Sequence, residues 1–179
     1  MLETASRLFY GEGVHAVGID RIIAEAGVAK ATFYHHFPSK DELVRAYVVE
    51  QSSRQRAALA ALDAASPRER LATIFAAMCD FGAGPDYRGC AFINAAAEYP
   101  DPAHPVRRAI AEYRHWIRDL YRDLLAADGH PDPERTADVL LLLRDGLWVG
   151  FDLDDAATVR VAVQETLARV LGETGATAR

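Results

Sequence analysis

Apolar residues recur along the chain at spacings of three and four, which is the pattern of amphipathic helices. No stretch alternates apolar and polar positions as a half-buried strand would. The first apolar stripe lies in residues 2–9 and the second in residues 19–26, where Gly27 ends it. A very short third helix fits between Ala29 and Phe37. The pattern therefore predicts an all-α protein.

Helix-start signals divide the rest of the chain. Ser39 with Glu42 three residues later is typical of a capping box, and Ser66-Pro67-Arg68-Glu69 repeats the device with Pro at the first helical position. The remaining periodic segments are predicted at about residues 89–99, 106–124, 134–151 and 156–171. In total, about nine helices are predicted.

Composition excludes several classes of protein. The chain has 179 residues, 50% of them apolar, which is long enough to bury a core without disulfide or metal crosslinks. The two cysteines, Cys79 and Cys90, have no CxxC or zinc-finger spacing, and unpaired thiols fit a reducing cytoplasm. No apolar run approaches the about 18 residues of a membrane span, and the start has no signal-peptide pattern. We expect a cytoplasmic protein without membrane, metal or cofactor.

Residues 19–37 have the layout of a helix-turn-helix: two short helices joined by a tight turn that contains Gly27. On a helical wheel of the second helix, Phe33 and Phe37 lie together and are predicted to face the core. The opposite side is centred on Ala31 and His35, and it is flanked by Thr32 and Tyr34. Small, hydroxyl and imidazole groups suit the DNA major groove.

The local charge agrees with a DNA-contacting surface. The whole chain has a net charge of -6, yet residues 26–40 contain no acid. The same window contains four basic or imidazole side chains: Lys30, His35, His36 and Lys40. Backbone N–H groups at the start of the following helix offer a phosphate site beside Lys40.

These residues carry a family resemblance. Leu8-Phe9 and the run IIAEAGVAKATFYHHFPSKDEL (residues 22–43) strongly resemble the N-terminal signature of TetR-family transcriptional regulators, over about residues 2–47. The resemblance implies a helix-turn-helix DNA-binding domain in residues 1–45 and a helical ligand-binding and dimerisation body in residues 46–179. It implies phosphate contacts by Lys30, Thr32, Tyr34, His36 and Lys40, with Ala31 and His35 nearest the bases.

The chain departs from the family pattern at three places. Ala29 replaces the usual hydroxyl cap of the recognition helix, which removes about 1 kcal/mol of capping. Val17-Gly18 replaces a hydroxyl pair before the preceding helix, and a phosphate contact is expected to be lost with it. The chain also begins almost inside the first helix without a basic arm, so we expect a longer natural N-terminus.

The last two helices indicate a partner subunit. Residues 139–143 are all apolar, and more apolar residues follow to Phe151, which covers more faces than one core can use. Two such helices from each of two chains would form a four-helix bundle. The alternative is a buried helix in a monomeric core. The predicted interface residues are Leu140, Leu143, Leu147, Trp148, Phe151, Val163, Leu167 and Val170.

A ligand pocket is predicted from one polar line. Cys90, Asn94 and Glu98 recur at every fourth residue of an otherwise apolar helix, and could supply the polar groups of an apolar cavity. Alternatively, Cys90 packs as a small apolar residue and Glu98 reaches water. The candidate walls are Phe75, Met78, Tyr113 and Trp116, although aromatic residues at helical spacing more often form a plain core. His104 and His115 lack a metal-ligand spacing with Glu98.

Taken together, the residues and the resemblance predict a homodimeric transcriptional regulator. We expect a repressor that binds a pseudo-palindromic double-stranded DNA operator and is released by a small-molecule effector. An enzyme is disfavoured, since the chain has no Ser-His-Asp or Cys-His motif and no phosphate-binding Gly loop. The alternative hypothesis is a helix-turn-helix protein that has no small-molecule effector and is controlled by a protein partner.

Overall fold

The structure is a computed structural model that describes residues 1–172, and this part of the chain folds into α-helices without strands. The all-α prediction is confirmed. The nine helices of the described residues are α1 (Leu2–Glu12), α2 (Ile19–Ala26), α3 (Lys30–His36), α4 (Lys40–Ala60), α5 (Pro67–Gly82), α6 (Ala91–Glu98), α7 (Pro105–Ala127), α8 (Pro133–Leu153) and α9 (Ala156–Leu171). None of them is both long and apolar enough to span a bilayer.

The helices form two compact units that are each built from two chain segments. Unit 1 comprises Met1–Ala57 with Cys90–Tyr113, and unit 2 comprises Ala58–Gly89 with the described residues from Arg114 onward. This division differs from the predicted boundary at residue 45, because α6 and the start of α7 belong with the N-terminal helices. Hydrogen bonds from Val14 to Glu98 and from Tyr99 to Asp41 join these segments across more than 50 positions of the chain, which periodicity does not reveal.

Unit 1 has a core of aliphatic and aromatic side chains. Leu8, Ile22, Phe33 and Leu43, one from each of α1 to α4, are at most 1% exposed. Burial of such side chains contributes about 1.5–3 kcal/mol each, and it holds the short helices α2 and α3, which would be unstable alone. In the segment from α6 to α7, the rings of Phe92 and Tyr113 are stacked with their centroids 3.9 Å apart.

Side-chain caps begin the helices of unit 2, as the sequence predicts for α5. The Ser66 Oγ accepts the Glu69 N–H at 3.1 Å, and the Glu69 carboxylate accepts the Ala65 N–H at 2.8 Å. Each such cap contributes about 1 kcal/mol to helix stability. Asp132 caps α8 and Asp155 caps α9. The backbone N–H of Thr158 lowers the pKa of Asp155, since it binds the ionised carboxylate.

Two glycines let the helices of unit 2 pack closely. A Cβ built on Gly82 of α5 would lie 2.7 Å from the Phe151 ring of α8, so no larger residue fits there without movement. A Cβ on Gly150 would lie 3.1 Å from a methyl of Val159 on α9. Helix pairs approach this closely only where a residue without a side chain stands at the crossing.

Unit 2 also buries a charged side chain. Arg144 is 0% exposed, and its guanidinium donates to the Asp145 carboxylate at 2.8 Å. Asp145 also receives a two-pronged pair from Arg114, at 3.0 and 2.7 Å. The Arg144 guanidinium lies 6.0 Å from the centroid of the Trp148 ring. Because a buried charge is costly to leave uncompensated, Asp145 is an important residue of this core.

Candidate nucleic-acid interface

The turn between α2 and α3 is built around Gly27. Its φ of +64° lies in the left-handed region, which a residue without Cβ adopts easily. The Gly27 N–H donates to Ala24 O at 3.2 Å, and the Val28 N–H donates to Ile23 O at 3.3 Å. These bonds satisfy the last carbonyls of α2 and direct the chain into α3. As predicted, Ala29 precedes α3 without a side-chain cap.

Helix α3 has one buried side and one exposed side, in agreement with the wheel drawn from the sequence. Phe33 is fully buried and Phe37, half-buried, lies beside it with ring centroids 6.2 Å apart. The predicted DNA-contacting residues of α3 are all exposed: Lys30, Ala31, Thr32, Tyr34, His35 and His36. Tyr34 exposes 43% of its surface although its ring contacts the edge of Phe33. The structure therefore brings these side chains together on one accessible surface.

Lys30, at the start of α3, has an acidic neighbour that the sequence window did not reveal. Its Nζ lies 3.1 Å from Asp20 Oδ1 of α2, and both side chains are largely exposed. The hydrogen bond to Asp20 raises the pKa of Lys30, because it stabilises the ammonium form. Residues 26–40 contain no Asp or Glu, but the fold places the Asp20 carboxylate beside Lys30.

Lys40 is the first residue of α4, which follows α3 in the chain. Ser39 Oγ accepts the Glu42 N–H at 3.2 Å, which is one half of the predicted capping box. The Glu42 carboxylate pairs with Arg45 at 3.0 Å. Lys40 Nζ is 3.5 Å from the His15 carbonyl oxygen. Lys30 and Lys40 are the chain's two lysines, and they are the first residues of α3 and α4.

Arginine pairs between α1 and α2 brace the helices behind α3. Arg21 binds both Glu12 and Glu25, and Arg7 lies 2.5 Å from the second of these carboxylates. Hydrogen bonds from these guanidinium groups lower the pKa values of Glu12 and Glu25. Sequence reasoning missed this network, since only the pair of Arg21 and Glu25 has a helical spacing.

The predicted pocket residues are divided between the two units. In unit 1, Cys90 is buried at the start of α6, Asn94 is exposed on α6, and Tyr113 donates a hydrogen bond to Gln55. Glu98 has a different environment, because its carboxylate binds the α1–α2 turn. Cys90, Asn94 and Glu98 therefore lie in different environments, and a shared role in a ligand pocket stays a prediction.

Three of the predicted pocket residues belong to unit 2. Phe75 is buried and stacked on Tyr121 with centroids 5.7 Å apart, Met78 is buried, and Trp116 is half-buried. An apolar groove of about 480 Å³ lies between α5 and α9. The groove is lined by Ala72, Phe75, Ala76, Cys79, Val163, Leu167 and Ala168, with Arg68 at one end.

The Glu98 carboxylate is the most strongly bound of the predicted pocket groups. Oε1 accepts the Val14 N–H at 2.7 Å, and Oε2 accepts the His15 N–H at 2.5 Å. The His15 imidazole Nδ1 is 2.7 Å from the same Oε2. Partial burial raises the pKa of Glu98, but the N–H donors outweigh burial, so the net pKa lies below the ordinary value. The Glu98 carboxylate is therefore held by the α1–α2 turn, and its role in a ligand pocket stays a prediction.

The predicted interface residues need a correction. Six of the eight (Leu140, Leu147, Trp148, Phe151, Val163 and Leu167) are at most 9% exposed within the single subunit, and Leu143 and Val170 are half-buried. The six buried residues pack inside unit 2 because they lie on the core side of α8 and α9, whereas an interface role of the half-buried Leu143 and Val170 stays a prediction. A second apolar stripe is exposed instead, and we call it the α8–α9 stripe: Val139, Leu142, Gly146, Val149 and Leu153 of α8 with Val161 of α9.

The histidines considered as metal ligands lie in separate places. His104 Nε2 is 3.4 Å from Asp41 Oδ2, whereas His115 is exposed on α7 and Glu98 is held by the α1–α2 turn. Among residues 1–172, no three His, Cys, Asp or Glu side chains converge in a way that would hold a metal ion.

A short exposed helix, presented after a glycine turn by a small helical core, defines the helix-turn-helix class of DNA-binding proteins. Two family models match the chain: bacterial regulatory proteins of the tetR family over residues 1–47, and the tetracyclin repressor-like C-terminal domain over residues 67–158. The chain belongs to the TetR family of bacterial transcriptional regulators.

Individual relatives agree with this assignment. The transcriptional regulator LmrA of Bacillus subtilis is 31% identical over 72% of this chain and 71% of its own length. A TetR-family regulator of known structure from Streptomyces coelicolor is 41% identical with a TM-score of 0.90, covering 95% of this chain and 91% of that one. The regulator CifR, complexed with 26 bp operator DNA, shares the fold with a TM-score of 0.76, 22% identity and 93% of each chain covered.

Proposed function

We propose that this protein is a homodimeric, ligand-responsive repressor that binds a pseudo-palindromic operator through α3. The observation that carries the proposal is the exposed side of α3, where small, hydroxyl, phenol and imidazole groups stand together between two lysines. Ala31 can contact a thymine methyl and His35 can donate to a base edge. Lys30, Thr32, Tyr34, His36 and Lys40 are assigned to phosphates and to orientation.

The second copy would bind at the α8–α9 stripe. Leu142 and Leu153 expose 70% and 73% of their surface in the single subunit, which is unfavourable in water. Gly146, in the middle of the stripe, has nothing within 4 Å of the position of a Cβ, so a partner helix could approach the backbone there. A two-fold axis through this stripe makes each α8 contact its own copy, and two α3 helices then read two half-sites.

Dimerisation also explains how weak individual contacts suffice. One α3 reaches only a few phosphates and bases. In a dimer, binding of the first α3 holds the second α3 at a high effective concentration near its own half-site. A small-molecule effector would release DNA if it bound more tightly to a form whose two α3 helices do not match the operator. Cys79 and Cys90 form no disulfide, which is consistent with action in the cytoplasm, beside the chromosome.

The proposal is tested first by selection of DNA. Duplexes enriched from a random-sequence library by the wild-type protein should contain an inverted repeat. Tyr34→Ala should then weaken binding of the selected duplex and of a scrambled duplex alike, because it removes a contact with a DNA phosphate. His35→Ala should reduce the preference for the selected duplex. Full affinity in Tyr34→Ala would contradict the assigned docking.

The chain's lysine content gives a second, independent test. An amine-acetylating reagent has Lys30 and Lys40 as its only lysine targets, so mass spectrometry of the acetylated protein reads the α3 surface directly. The selected duplex should protect both lysines from acetylation, and the scrambled duplex at the same concentration should protect them less. Equal acetylation with and without the selected duplex would contradict binding through α3.

A second candidate function keeps the same DNA-binding surface but replaces the small effector with a protein partner. The groove of about 480 Å³ between α5 and α9 favours the small-molecule version, because its volume lies in the range of ligand pockets. Apolar and aromatic compounds are screened for release of the labelled duplex and for a rise in Tm. Release by a compound supports the effector, whereas release only by a protein fraction supports the alternative.

A further inference from the structure

The α1–α2 turn of unit 1 forms a cradle for one carboxylate. Gly13 has a φ of +92°, and a Cβ on it would lie 3.3 Å from Glu98 Oε1. This conformation directs the N–H groups of Val14 and His15 to the same side, where both bind Glu98 of α6 at 2.7 and 2.5 Å. With the His15 imidazole, three donors surround one carboxylate. Hydrogen bonds to a charged acceptor are roughly twice as strong as neutral ones.

The same turn is bound from the other side by the proposed DNA-contacting surface. Lys40 Nζ is 3.5 Å from the His15 carbonyl oxygen, so His15 is bound through its N–H by α6 and through its carbonyl by α4. A movement of the turn relative to α6 would therefore change the position of Lys40.

The residue after Glu98 binds a second point of the N-terminal helices. Tyr99 Oη donates to Asp41 Oδ1 in the first turn of α4 at 2.9 Å, and Tyr99 is 8% exposed. The Arg107 guanidinium donates to the Tyr99 carbonyl at 2.8 Å, which fixes the end of α6. His104 lies against the same tyrosine, with ring centroids 4.5 Å apart. Two adjacent residues thus bind the α1–α2 turn and the first turn of α4.

We propose that Glu98 and Tyr99 are positioning residues for DNA binding: they fix the α1–α2 turn and the first turn of α4, and so set how α3 and Lys40 meet the duplex. The proposal rests on the proposed function, since it assumes that α3 reads DNA. Neither residue is on the exposed side of α3. Their effect on affinity is transmitted through the backbone of residues 13–15 and through Asp41.

The experiment compares Glu98→Gln, Tyr99→Phe and the control Glu112→Gln, which changes an exposed glutamate of α7 in the same unit. Glutamine keeps the shape of Glu98 but directs an NH₂ group at N–H donors, and Phe keeps the ring of Tyr99 without its hydroxyl. Hydrogen exchange by mass spectrometry follows the amides of residues 13–16. Fluorescence anisotropy measures affinity for the duplex selected by the wild type and for a scrambled duplex, corrected for the folded fraction.

We expect faster exchange at Val14 and His15 in Glu98→Gln, with about tenfold weaker binding of the selected duplex. Binding of the scrambled duplex should change less, because misplaced α3 helices lose base contacts first. Tyr99→Phe should weaken selected binding several-fold, and Glu112→Gln should leave it unchanged.

Two results would overturn the proposal. Unchanged exchange at residues 14 and 15 in Glu98→Gln would mean that the carboxylate does not hold the turn. Faster exchange with unchanged selected affinity would mean that Glu98 only stabilises the fold. If the wild type selects no duplex, the proposed function fails as well, while the exchange measurement still decides whether Glu98 holds the turn.

Discussion

Replacement of Val149 by Glu should dissociate the proposed dimer. Val149 lies in the α8–α9 stripe and exposes 45% of its surface in the single subunit. Complete burial of a valine side chain contributes about 1.5–3 kcal/mol, so the exposed part would contribute about 0.7–1.4 kcal/mol on dimerisation. Two-fold symmetry places two copies in the interface, which gives about 1.4–2.7 kcal/mol in total.

The loss converts directly into a dissociation constant. Since about 1.4 kcal/mol is a factor of ten, the dimer Kd should rise about 10- to 80-fold from lost burial alone. Two glutamates brought together across the axis, each with Asp152 one helical turn away, add repulsion to this loss. Sedimentation equilibrium over a dilution series measures the Kd.

The chain offers a closely matched control. Val49 of α4 exposes 44% of its surface, is also a valine in a helix, and lies outside the stripe. Val49→Glu should leave the dimer Kd within about twofold of the wild type, since surface substitutions change energies by about 0.5 kcal/mol or less. Equal Kd values for Val149→Glu and Val49→Glu, or a monomeric wild type, would refute the proposed interface.

Three further predictions concern stability. Gly82→Ala should destabilise unit 2 by about 1–3 kcal/mol in urea unfolding, because the new Cβ would lie 2.7 Å from the Phe151 ring. Asp145→Asn should lower the free energy of unfolding by at least about 2 kcal/mol, because it weakens the compensation of the fully buried Arg144. The lowered pKa of Glu98 means that its contribution to stability is complete above the ordinary value of 4.5 and is lost as pH falls through the lower folded value. Thermal unfolding of the wild type should therefore show this loss on acidification.

Each of these predictions has a control. Gly11→Ala adds a Cβ in open space within α1 and should be neutral or stabilising, so an equal loss at both glycines would contradict the packing argument. Asp138→Asn breaks an exposed pair and should change stability by less than about 1 kcal/mol, in contrast to Asp145→Asn. Glu98→Gln should remove the part of the acid-induced loss of thermal stability that Glu98 causes. An equal loss in Glu98→Gln and in the wild type would assign it to another group.

The local features of the fold could be predicted from the sequence because their causes are local. Ser66 caps α5 as its spacing with Glu69 indicates, and Gly27 adopts the left-handed conformation expected after α2. The buried position of Phe33 follows from the period of the helix. In each case the partner lies within a few residues, so the relevant geometry is fixed by the helix itself.

The remaining features depend on partners far away in the chain. Helix α8 is apolar on two sides, and periodicity alone does not tell which side faces its own core; the sequence therefore assigned Leu140 and Leu147 to the interface, while Leu142 and Val149 are the exposed ones. Glu98 stands out in sequence only as part of a polar line. Its donors are more than 80 residues away, at a turn whose shape depends on Gly13.

In the proposed complex Lys30 would meet DNA already paired, because its ammonium lies 3.1 Å from the Asp20 carboxylate. When a phosphate takes the place of that carboxylate, one anion replaces another, and fewer condensed cations are set free from the duplex than a count of basic groups suggests. Affinity should consequently fall less steeply with ionic strength than for an unpaired lysine, and Asp20→Asn should steepen the slope of log affinity against log salt concentration by up to about 0.9 per subunit. If Lys30 binds a phosphate as proposed, the pair would make DNA occupancy less sensitive to the salt content of the cell.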